Sequence, residues 1–525
     1  MFFPKIPARP LSIFTSVMSR PFALALLASR LAFASAVVLS PVAGLAQQPA
    51  AMAPDRPFTL DDAIGMAMKK NFDLQLQAYN VENAKDTIEI AKGGFDANLT
   101  ATVRRNLSQA ASNTSRLDGS QLAGPRNDNT TVSVGANERL AATNGTVSVT
   151  TNVTRGATNS TNALLNPSYG NGISASLSQP LLQNAGRTTA TATLERAKLG
   201  LNIATIAYKS RVLTVIQQTE VAYYNLVAAR EALRIRQLTF EYNQKLFEEN
   251  QARRATGVAT DLDVFSAEYG MANSRRAVVQ QEQAVRDAED NLLNLINAPE
   301  LDVRPGPVAF NDYTEGPPNF AASYKRAREF FPDTLSAEET IKQLQITLAV
   351  AKRNMMPTLN LDASLGYTAR AVNSGFGDAI GNLPNDHGNN WSFGLTYQRP
   401  WGNRADKASY RSALSSLNSR KLTLEQLEQS LLVNVRSAVR AVETNLMAVE
   451  IAGKATALSA KQYELQKARF DAGLSTSRLV LQAQDDLESA RNAELTAKLA
   501  LRRAVAELHR LEGTSIERFR VQLPQ

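Results

Sequence analysis

The segment 188–254 constrains the fold most, because it is typical of a single, very long helix. It contains no proline and only one glycine, Gly200. Small or apolar residues recur along it at alternating steps of three and four, with one four-residue stutter, which is the heptad spacing of a coiled coil. At ~1.5 Å per residue this helix would be about 100 Å long. The residues of this predicted seam are Leu194, Ala197, Leu201, Ala204, Tyr208, Val212, Val215, Thr219, Ala222, Leu226, Ala229 and Leu233.

Two shorter helices are predicted on either side of this segment. The first covers 59–92, beginning at Thr59 and ended by the glycine pair after it. The second covers 260–297, with Gly257 in the turn that precedes it and Thr260 as its N-cap. Together the two short helices are about as long as the long one, roughly 108 Å. Stacked end to end, they would run beside the long helix over its full length.

Between the first short helix and the long helix, the hydrophobic period changes from helical to alternating. Alternation of apolar and polar residues is typical of strands with one buried or lipid-facing side. The β-segment 97–180 contains four such runs, separated by polar loops at 106–129 and 155–170 and by a turn at Asn144-Gly145. The runs are Leu99/Ala101/Val103, Val132/Val134/Ala136, Val147/Val149/Thr151/Val153 and Ile173/Ala175/Leu177.

The whole pattern then occurs a second time. After a Pro/Gly-rich connector, 299–320, we predict a helix at 321–354, a β-segment at 358–400 with two alternating runs, a long helix at 404–470 and a helix at 476–512 before a C-terminal tail. Landmarks align between the halves: Gln179-Pro180 with Arg399-Pro400, and Ala252-Arg253-x-x-x-Gly257 with Ala468-Arg469-x-x-x-Gly473. We interpret the chain as two repeats, 47–320 and 321–525.

The N-terminal segment 1–46 is typical of a secretory signal peptide. It has a basic start, a short apolar run and small residues before Gln47. Cleavage after Ala46 would remove Lys5, Arg9, Arg20 and Arg30 and lower the net charge from +8 to +4, so a nucleic-acid partner is not expected. No cysteine follows the cleavage position, which argues against a lipid anchor. The sequence therefore predicts an exported protein.

The composition excludes most enzyme chemistry. The chain has no cysteine, and its two histidines, His387 and His509, lie far apart in the sequence. Thiol catalysis, disulfides and cysteine-bound zinc are therefore excluded, and a histidine relay is not expected. We predict no catalytic residues, no metal site and no cofactor.

The strands need partners from other copies of the chain. Membrane barrels begin at about eight strands, so two to four strands per half cannot close one, and open strand edges would aggregate. The chain leaves a helix and returns to a helix on the same side, so each half needs an even number of strands. Three copies would supply twelve strands if one hairpin per half enters the barrel, or eighteen if all do. We favour insertion of the extra hairpin around Asn144-Gly145, although an extracellular flap is the alternative.

At this point the chain resembles the TolC-like outer-membrane efflux protein family over residues 58–513. The motifs that carry the resemblance are Phe58-Thr59-Leu60-Asp61-Asp62-Ala63-Ile64, Ser178-Gln179-Pro180-Leu181-Leu182, the two helix turns at 255–264 and 469–474, and Ala351-Lys352-Arg353-x-x-x-Pro357-x-Leu359. The resemblance implies a mostly α protomer with membrane β, in a homotrimer whose outer-membrane β-barrel continues into a periplasmic coiled-coil barrel. It also implies passive export of solutes or proteins, delivered by an inner-membrane pump and a periplasmic adaptor.

Three groups of candidate site residues follow from this interpretation. The helix-tip turns, where an adaptor would dock, are Gly257, Val258, Ala259, Gly473, Leu474 and Ser475. The candidate periplasmic gate is Asp261, Asp263, Arg254 and Arg478, in which an acid would pair with one of the arginines. Thr260 and Asp263 could equally form a helix capping box, and that alternative stays open. Candidate membrane-interface aromatics, which would contact outer-membrane lipid, are Tyr367, Trp391, Tyr397 and Trp401.

Other classes of function explain fewer features of the sequence. An exported structural or adhesive coiled-coil protein would account for the heptads but not for the paired alternating strands. A periplasmic adaptor would need one helical hairpin and a lipoyl-like module rather than a duplicated pair of hairpins. An exported enzyme would need a nucleophile and base, or a ligand cluster, which the sequence does not offer.

Overall fold

The computed structural model describes residues 57–521, except 112, 115–120, 123, 161–162, 299–304, 311–312, 314–315, 372–374, 382–383 and 385–386. The predicted signal peptide lies outside the described residues. The first repeat contains α1 (Leu60–Lys70), α2 (Phe72–Gly93), β1 (Asn98–Gln109), β2 (Asn113–Thr114), β3 (Gln121–Leu122), β4 (Arg126–Arg139), β5 (Thr146–Thr158), β6 (Ser168–Pro180), α3 (Arg187–Ala190), α4 (Ala192–Ala255) and α5 (Asp261–Leu295). The second contains α6 (Phe320–Phe330), α7 (Pro332–Asn354), β7 (Thr358–Arg370), α8 (Phe376–Gly381), β8 (Gly388–Gln398), α9 (Arg404–Asp471), α10 (Ser477–Glu512) and α11 (Ser515–Arg518).

The two long helices, α4 and α9, have 64 and 68 residues. Each packs against the shorter helices of its own repeat: α4 against α1, α2 and α5, and α9 against α6, α7 and α10. In the predicted seam of α4, Val212, Val215, Thr219, Ala222 and Leu226 are buried, and the others are half-buried apart from the buried Ala197. The prediction that the short helices run beside a long one is confirmed. None of the described helices is both long and apolar enough to cross a membrane.

Each predicted N-terminal helix of a repeat is in fact two helices, which corrects the spans 59–92 and 321–354. In the first repeat the break is at Asn71, whose side chain accepts from the amides of Asp73 and Leu74 and starts a new helix. In the second repeat the break is at Phe331, which is extended (ψ 118°) because Pro332 follows it at the first position of α7. Proline disfavours a helical backbone conformation in the residue that precedes it. It is well suited to the first turn of a new helix.

The long helix predicted at 188–254 also begins later than expected. Residues Arg187–Ala190 form the separate turn α3, and α4 starts at Ala192 after Thr191. The remaining helix ends lie within a few residues of the predicted ones.

Each of the six alternating runs forms a strand, and all six strands lie in one antiparallel sheet of order β1-β4-β5-β6-β7-β8. These strands have 11 to 14 residues, enough to cross an outer membrane when tilted. The hairpin β4–β5, which turns at Asn144-Gly145, is paired along its length with β1 on one side and with β6 on the other. Within one chain, the alternative of an extracellular flap is therefore wrong. A separate two-residue pair, β2–β3, lies in the loop between β1 and β4.

The register places apolar residues of all six strands on one face of the sheet. Neighbouring rows on this face include Leu99–Ala136–Val149–Ala175–Leu365–Trp391 and Ala101–Val134–Thr151–Ile173–Tyr367. The opposite face carries polar residues, such as the row Thr102–Ser133–Asn152–Gly172–Thr368. A sheet with one continuous apolar face and one polar face is the pattern of a barrel wall between lipid and water.

The hydrophobic core lies in the helices, at the level of the two helix breaks. One cluster joins α1 with the middle of α4 and the end of α5, and includes Ile64, Val215 and Leu292. The second joins α6, α9 and α10 around Val435 and Val505. The two clusters hold the middle of the helical layer together, and leave the sheet at one end of the long helices and the two tip turns at the other.

Candidate duct entrance and membrane surface

The two helix-tip turns, Gly257–Ala259 and Gly473–Ser475, have the same geometry. Gly257 and Gly473 have φ of +74° and +76°, which favours glycine because it has no Cβ. The amide of Val258 donates to the carbonyl of Arg253 at 2.9 Å, and that of Leu474 to the carbonyl of Arg469 at 2.8 Å. Each long helix therefore ends in a Schellman turn. The sequence alignment of the two repeats predicted these two glycines as equivalent.

The tips present apolar side chains to solvent. Val258 and Leu474 are 75% and 80% exposed, while Ala259 and Ser475 are half-buried. The Ser475 hydroxyl lies 3.3 Å from Oε1 of Gln466. Such exposed apolar residues on a rigid turn are suited to contact with another protein.

The predicted gate residues occupy three different settings. Asp261 forms an exposed ion pair with Arg254 at 2.5 Å. Asp263 forms a capping box instead, because its carboxylate accepts from the amide of Thr260 at 3.0 Å and from its hydroxyl at 2.6 Å. Arg478 is exposed at the start of α10 and pairs with no acid among the described residues. Within one chain, the structure thus brings Asp261 to Arg254 but not to Arg478, and a gate formed between copies stays a prediction.

A seam of polar contacts joins the two tips within the chain, and the apolar sequence pattern did not predict it. The Asn250 amide donates to Oγ of Ser477 at 2.9 Å, and both residues are buried. Arg253 donates to the carbonyl of Phe470 at 3.2 Å, and its guanidinium lies 4.0 Å from the centre of the Phe470 ring. Higher up, Lys467 pairs with Glu249 at 3.1 Å.

A sequence signal for this seam exists in α4. Thr239, Asn243, Leu246 and Asn250 are all buried and recur at steps of four, three and four, beginning six residues after Leu233. Three of these four residues are polar. A heptad pattern defined by small and apolar residues therefore stops at Leu233, before the seam begins.

An aromatic pair lies above the seam. The rings of Tyr242 on α4 and Tyr463 on α9 are stacked with centroids 5.6 Å apart. Burial raises the pKa of Tyr463 to about 12, with smaller contributions from nearby Tyr242, Glu249 and Asp471. Tyr463 is therefore neutral at physiological pH, and the contact between the two long helices there is an uncharged one.

Three of the four predicted interface aromatics lie on the apolar face of the sheet. Tyr367 and Trp391 lie towards the loop end of β7 and β8, and the Tyr367 ring contacts His387 at 4.9 Å. Tyr397 lies at the helix end of β8, opposite Leu359. Trp401 follows the strand and is fully exposed. The positions are those of two girdles about 20 Å apart along the strand, and contact with lipid stays a prediction.

In the part of the chain that the structure describes, no group of three or more His, Asp or Glu residues could hold a metal ion. The candidate site in the described residues consists of the two tip turns, a polar strand face and an apolar strand face.

Comparisons with known proteins agree with this architecture. The curated Pseudomonas aeruginosa protein "Pyoverdine export outer membrane protein OpmQ" is 26% identical over 310 residues, covering 57% of this chain and 61% of that protein. The matched part thus spans about three fifths of the relative's length.

Two solved channels have the same fold. The CmeC outer membrane channel of Campylobacter jejuni matches with a TM-score of 0.63 at 16% identity, over 87% of this chain and 86% of that one. The open-state MtrE outer membrane channel of Neisseria gonorrhoeae matches with a TM-score of 0.60 at 20% identity, over 86% and 88% of the two chains.

The sequence profile of the family described as "Outer membrane efflux protein" matches residues 63–298 and 324–514. These two ranges correspond to the two repeats and leave out the connector between them. The chain therefore belongs to the outer membrane efflux protein family, with its sheet in the outer membrane and its helices extending into the periplasm.

Proposed function

We propose that this protein is the outer-membrane exit duct of a tripartite export system and works as a homotrimer. In this role it moves cargo passively, and the energy comes from an inner-membrane pump joined to it by a periplasmic adaptor. Family membership supports the role of the duct. For this chain we propose the pump, the adaptor and the trimer.

The sheet edges are the observation that carries the proposal. Among the described strands, β1 and β8 each pair on one side only, although the apolar face continues to both edges. Unpaired backbone groups in lipid cost several kcal/mol each, so these edges need partners in the membrane. Pairing β8 of one copy with β1 of the next satisfies both edges. Three copies then form a barrel of eighteen strands, because each contributes six.

The cargo we propose is a small polar solute of the siderophore class. The relative OpmQ exports pyoverdine according to its name, and it is similar to this chain over 310 residues. The polar face of the sheet, which would line the barrel, carries Thr, Ser and Asn side chains. These groups solvate a polar solute without binding it tightly, as a duct requires.

Oligomeric state and channel activity test the proposal together. Light scattering of the detergent-solubilised protein should give a mass of three chains, and the trimer should form channels in planar bilayers. Cross-linking from the tips in cells, followed by mass spectrometry, should capture a periplasmic adaptor. A stable membrane-inserted monomer would overturn the trimer, and a trimer that forms no channel would favour a structural or adhesive coiled-coil protein.

A further inference from the structure

The apolar face of the sheet ends at a row that contains two arginines. Val103, Val132 and Val153 are paired across β1, β4 and β5 in the last row of this face whose residues on the three strands are all apolar. The next row towards the loops on the same face is Arg105, Thr130 and Arg155, followed by Tyr169 on β6. Neighbouring strands lie about 4.8 Å apart, so the two arginine backbones are about 10 Å apart with the Thr130 hydroxyl between them.

Positive charge exceeds negative charge in this patch. Asp128 forms a two-pronged pair with Arg105, at 2.9 Å from Nε and 2.6 Å from Nη2. Arg126 lies on the same face of β4 as Asp128. Neither Arg126 nor Arg155 forms an ion pair with any described residue. One acid therefore faces three arginines, and two positive charges remain uncompensated on a surface that borders lipid.

The position of the patch in the membrane follows from the topology. The helices enter the sheet at its other end, so the loop end of β1, β4 and β5 faces the cell exterior. A charge on the lipid face is costly in the middle of the bilayer and cheap at the headgroups. The row just beyond the apolar band lies at the headgroups of the outer leaflet, as aromatic Tyr169 in the same row also indicates.

We propose that Arg105, Arg126 and Arg155, with Thr130, bind the phosphorylated headgroup of an outer-leaflet glycolipid. Arginine forks suit phosphate oxygens, and a phosphate between Arg105 and Arg155 accepts from both and from the threonine hydroxyl. The acyl chains of the same lipid then lie along the valine row below. Only the hairpin β4–β5 supplies Arg126, Thr130 and Arg155, so the site belongs to the strands that the second repeat lacks.

The test uses the full-length protein purified from outer membranes. In the Arg126→Gln/Arg155→Gln variant, phosphorylated glycolipid that copurifies should fall by about tenfold, because each arginine near an anionic surface contributes to retention. Reconstitution into vesicles that contain bisphosphorylated lipid A should raise the thermal stability of the wild-type protein. Vesicles with fully dephosphorylated lipid A, or inorganic phosphate alone in detergent, should not. Arg155→Lys should keep most of the lipid, because the charge remains.

Arg104→Gln is the matched control. Arg104 is the neighbour of Arg105 on the same strand but lies on the polar face, so its loss should leave the bound lipid unchanged. An equal loss of lipid in Arg104→Gln, or none in the double variant, would overturn the site. Equal stabilisation by dephosphorylated lipid A or by inorganic phosphate would overturn its assignment to a phosphorylated lipid. Channel activity is measured separately, so failure of the lipid site and failure of the duct are distinguishable.

Discussion

The two repeats place the same break in their N-terminal helix pair by different means. In the first repeat α1 and α2 have 11 and 22 residues, and in the second α6 and α7 have 11 and 23. At both breaks the amide of the break residue donates to an alanine carbonyl four residues earlier, Ala67 or Ala327, and both alanines are fully buried. Asn71 makes the break with a side chain, whereas Pro332 makes it with a ring. The two repeats share the buried alanine at the break, whereas the residue that breaks the helix differs between them.

The two repeats differ most in the sheet and at the helix tips, which would contact lipid and partner proteins. The first has four full strands in the membrane sheet, and the second has two. The first tip begins its return helix with a Thr260–Asp263 capping box, whereas the N-cap Thr476 of the second makes no side-chain hydrogen bond. Long helices and core clusters, which hold the chain together, have stayed alike. Divergence is therefore concentrated at the membrane and at the tips, where lipid and partner proteins would act.

Removing the extra hairpin β4–β5 should make the first repeat resemble the second, and it should change the barrel more than any point substitution. Deletion of 110–158 would join β1 to β6 through the loop 159–167. The trimer should then have twelve strands, and because barrel diameter grows about linearly with strand number, its diameter should fall to about two thirds. Electron microscopy of the trimer and exclusion of polymers from the outer side would measure this. An unchanged diameter would contradict the insertion of β4–β5 in the barrel wall.

Asn71→Ala should be more damaging than Pro332→Ala, although both residues mark the same break. The asparagine is buried, caps α2 and also donates to the carbonyl of the half-buried Leu295 at 2.9 Å. Its loss removes a cap and leaves a partly buried carbonyl without that donor, for a cost of about 2 kcal/mol. Proline at the first turn mainly fixes φ, so its replacement should cost less than about 1 kcal/mol. Hydrogen exchange of the amides around each break would measure both, and equal costs would contradict the different roles.

The sequence predicted the elements that depend on repeating patterns. Heptad spacing located α4, and strand alternation located all six strands, because each pattern recurs several times within its element. The break at Asn71 was missed because its signal is a single side chain, and its capping depends on packing against Leu295, which is far away in the sequence. Pro332 was a visible signal, but one proline did not outweigh helical periodicity on both sides of it.

The candidate site was predictable to a smaller extent. The tip glycines follow from a local rule, since a turn between antiparallel helices needs positive φ. The sequence does not select a partner for Asp261, and its pairing with Arg254 is a local contact across one turn. The seam through Asn250 and Ser477 joins residues 227 positions apart. No local pattern gives such a pair, because it depends on how two hairpins pack together.

Valine at either tip glycine should have the same effect, since the two turns are alike. The φ values differ by only 2°, and a Cβ at either position would meet no atom within 4 Å. Each of Gly257→Val and Gly473→Val should therefore cost about 1–2 kcal/mol locally, from the backbone alone. The trimer should persist because the barrel is ~100 Å away, while adaptor docking should weaken. Loss of the trimer with docking intact would reverse the assignment of the tips.

Arg253→Ala and Arg469→Ala change equivalent residues of the two repeats, so they compare the contact within a chain with the contact between chains. Arg253 donates a hydrogen bond to the Phe470 carbonyl, and its guanidinium packs on the Phe470 ring. It also lies 3.9 Å from the Asp471 carboxylate. Arg469 is exposed and forms no ion pair among the described residues. In a threefold ring, Arg469 would face the first-repeat tip of the next copy, where Arg254 stands in the position equivalent to Phe470. Two arginines repel, so we expect the contact between copies to be the weaker one.

The stronger contact, the one within each chain, should therefore be the contact that keeps the tips closed. Loss of Arg253 should cost about 1 kcal/mol per copy, so three copies should shift the closed–open equilibrium by about 3 kcal/mol, which raises the resting conductance in a planar bilayer more than tenfold. Arg469→Ala should leave that conductance unchanged or lower it slightly, because it removes a repulsion and no attraction. If Arg469→Ala opens the resting channel and Arg253→Ala does not, the contact between neighbouring copies is the one that keeps the duct closed. The second repeat would then hold the gate, although its tip carries no acidic capping box.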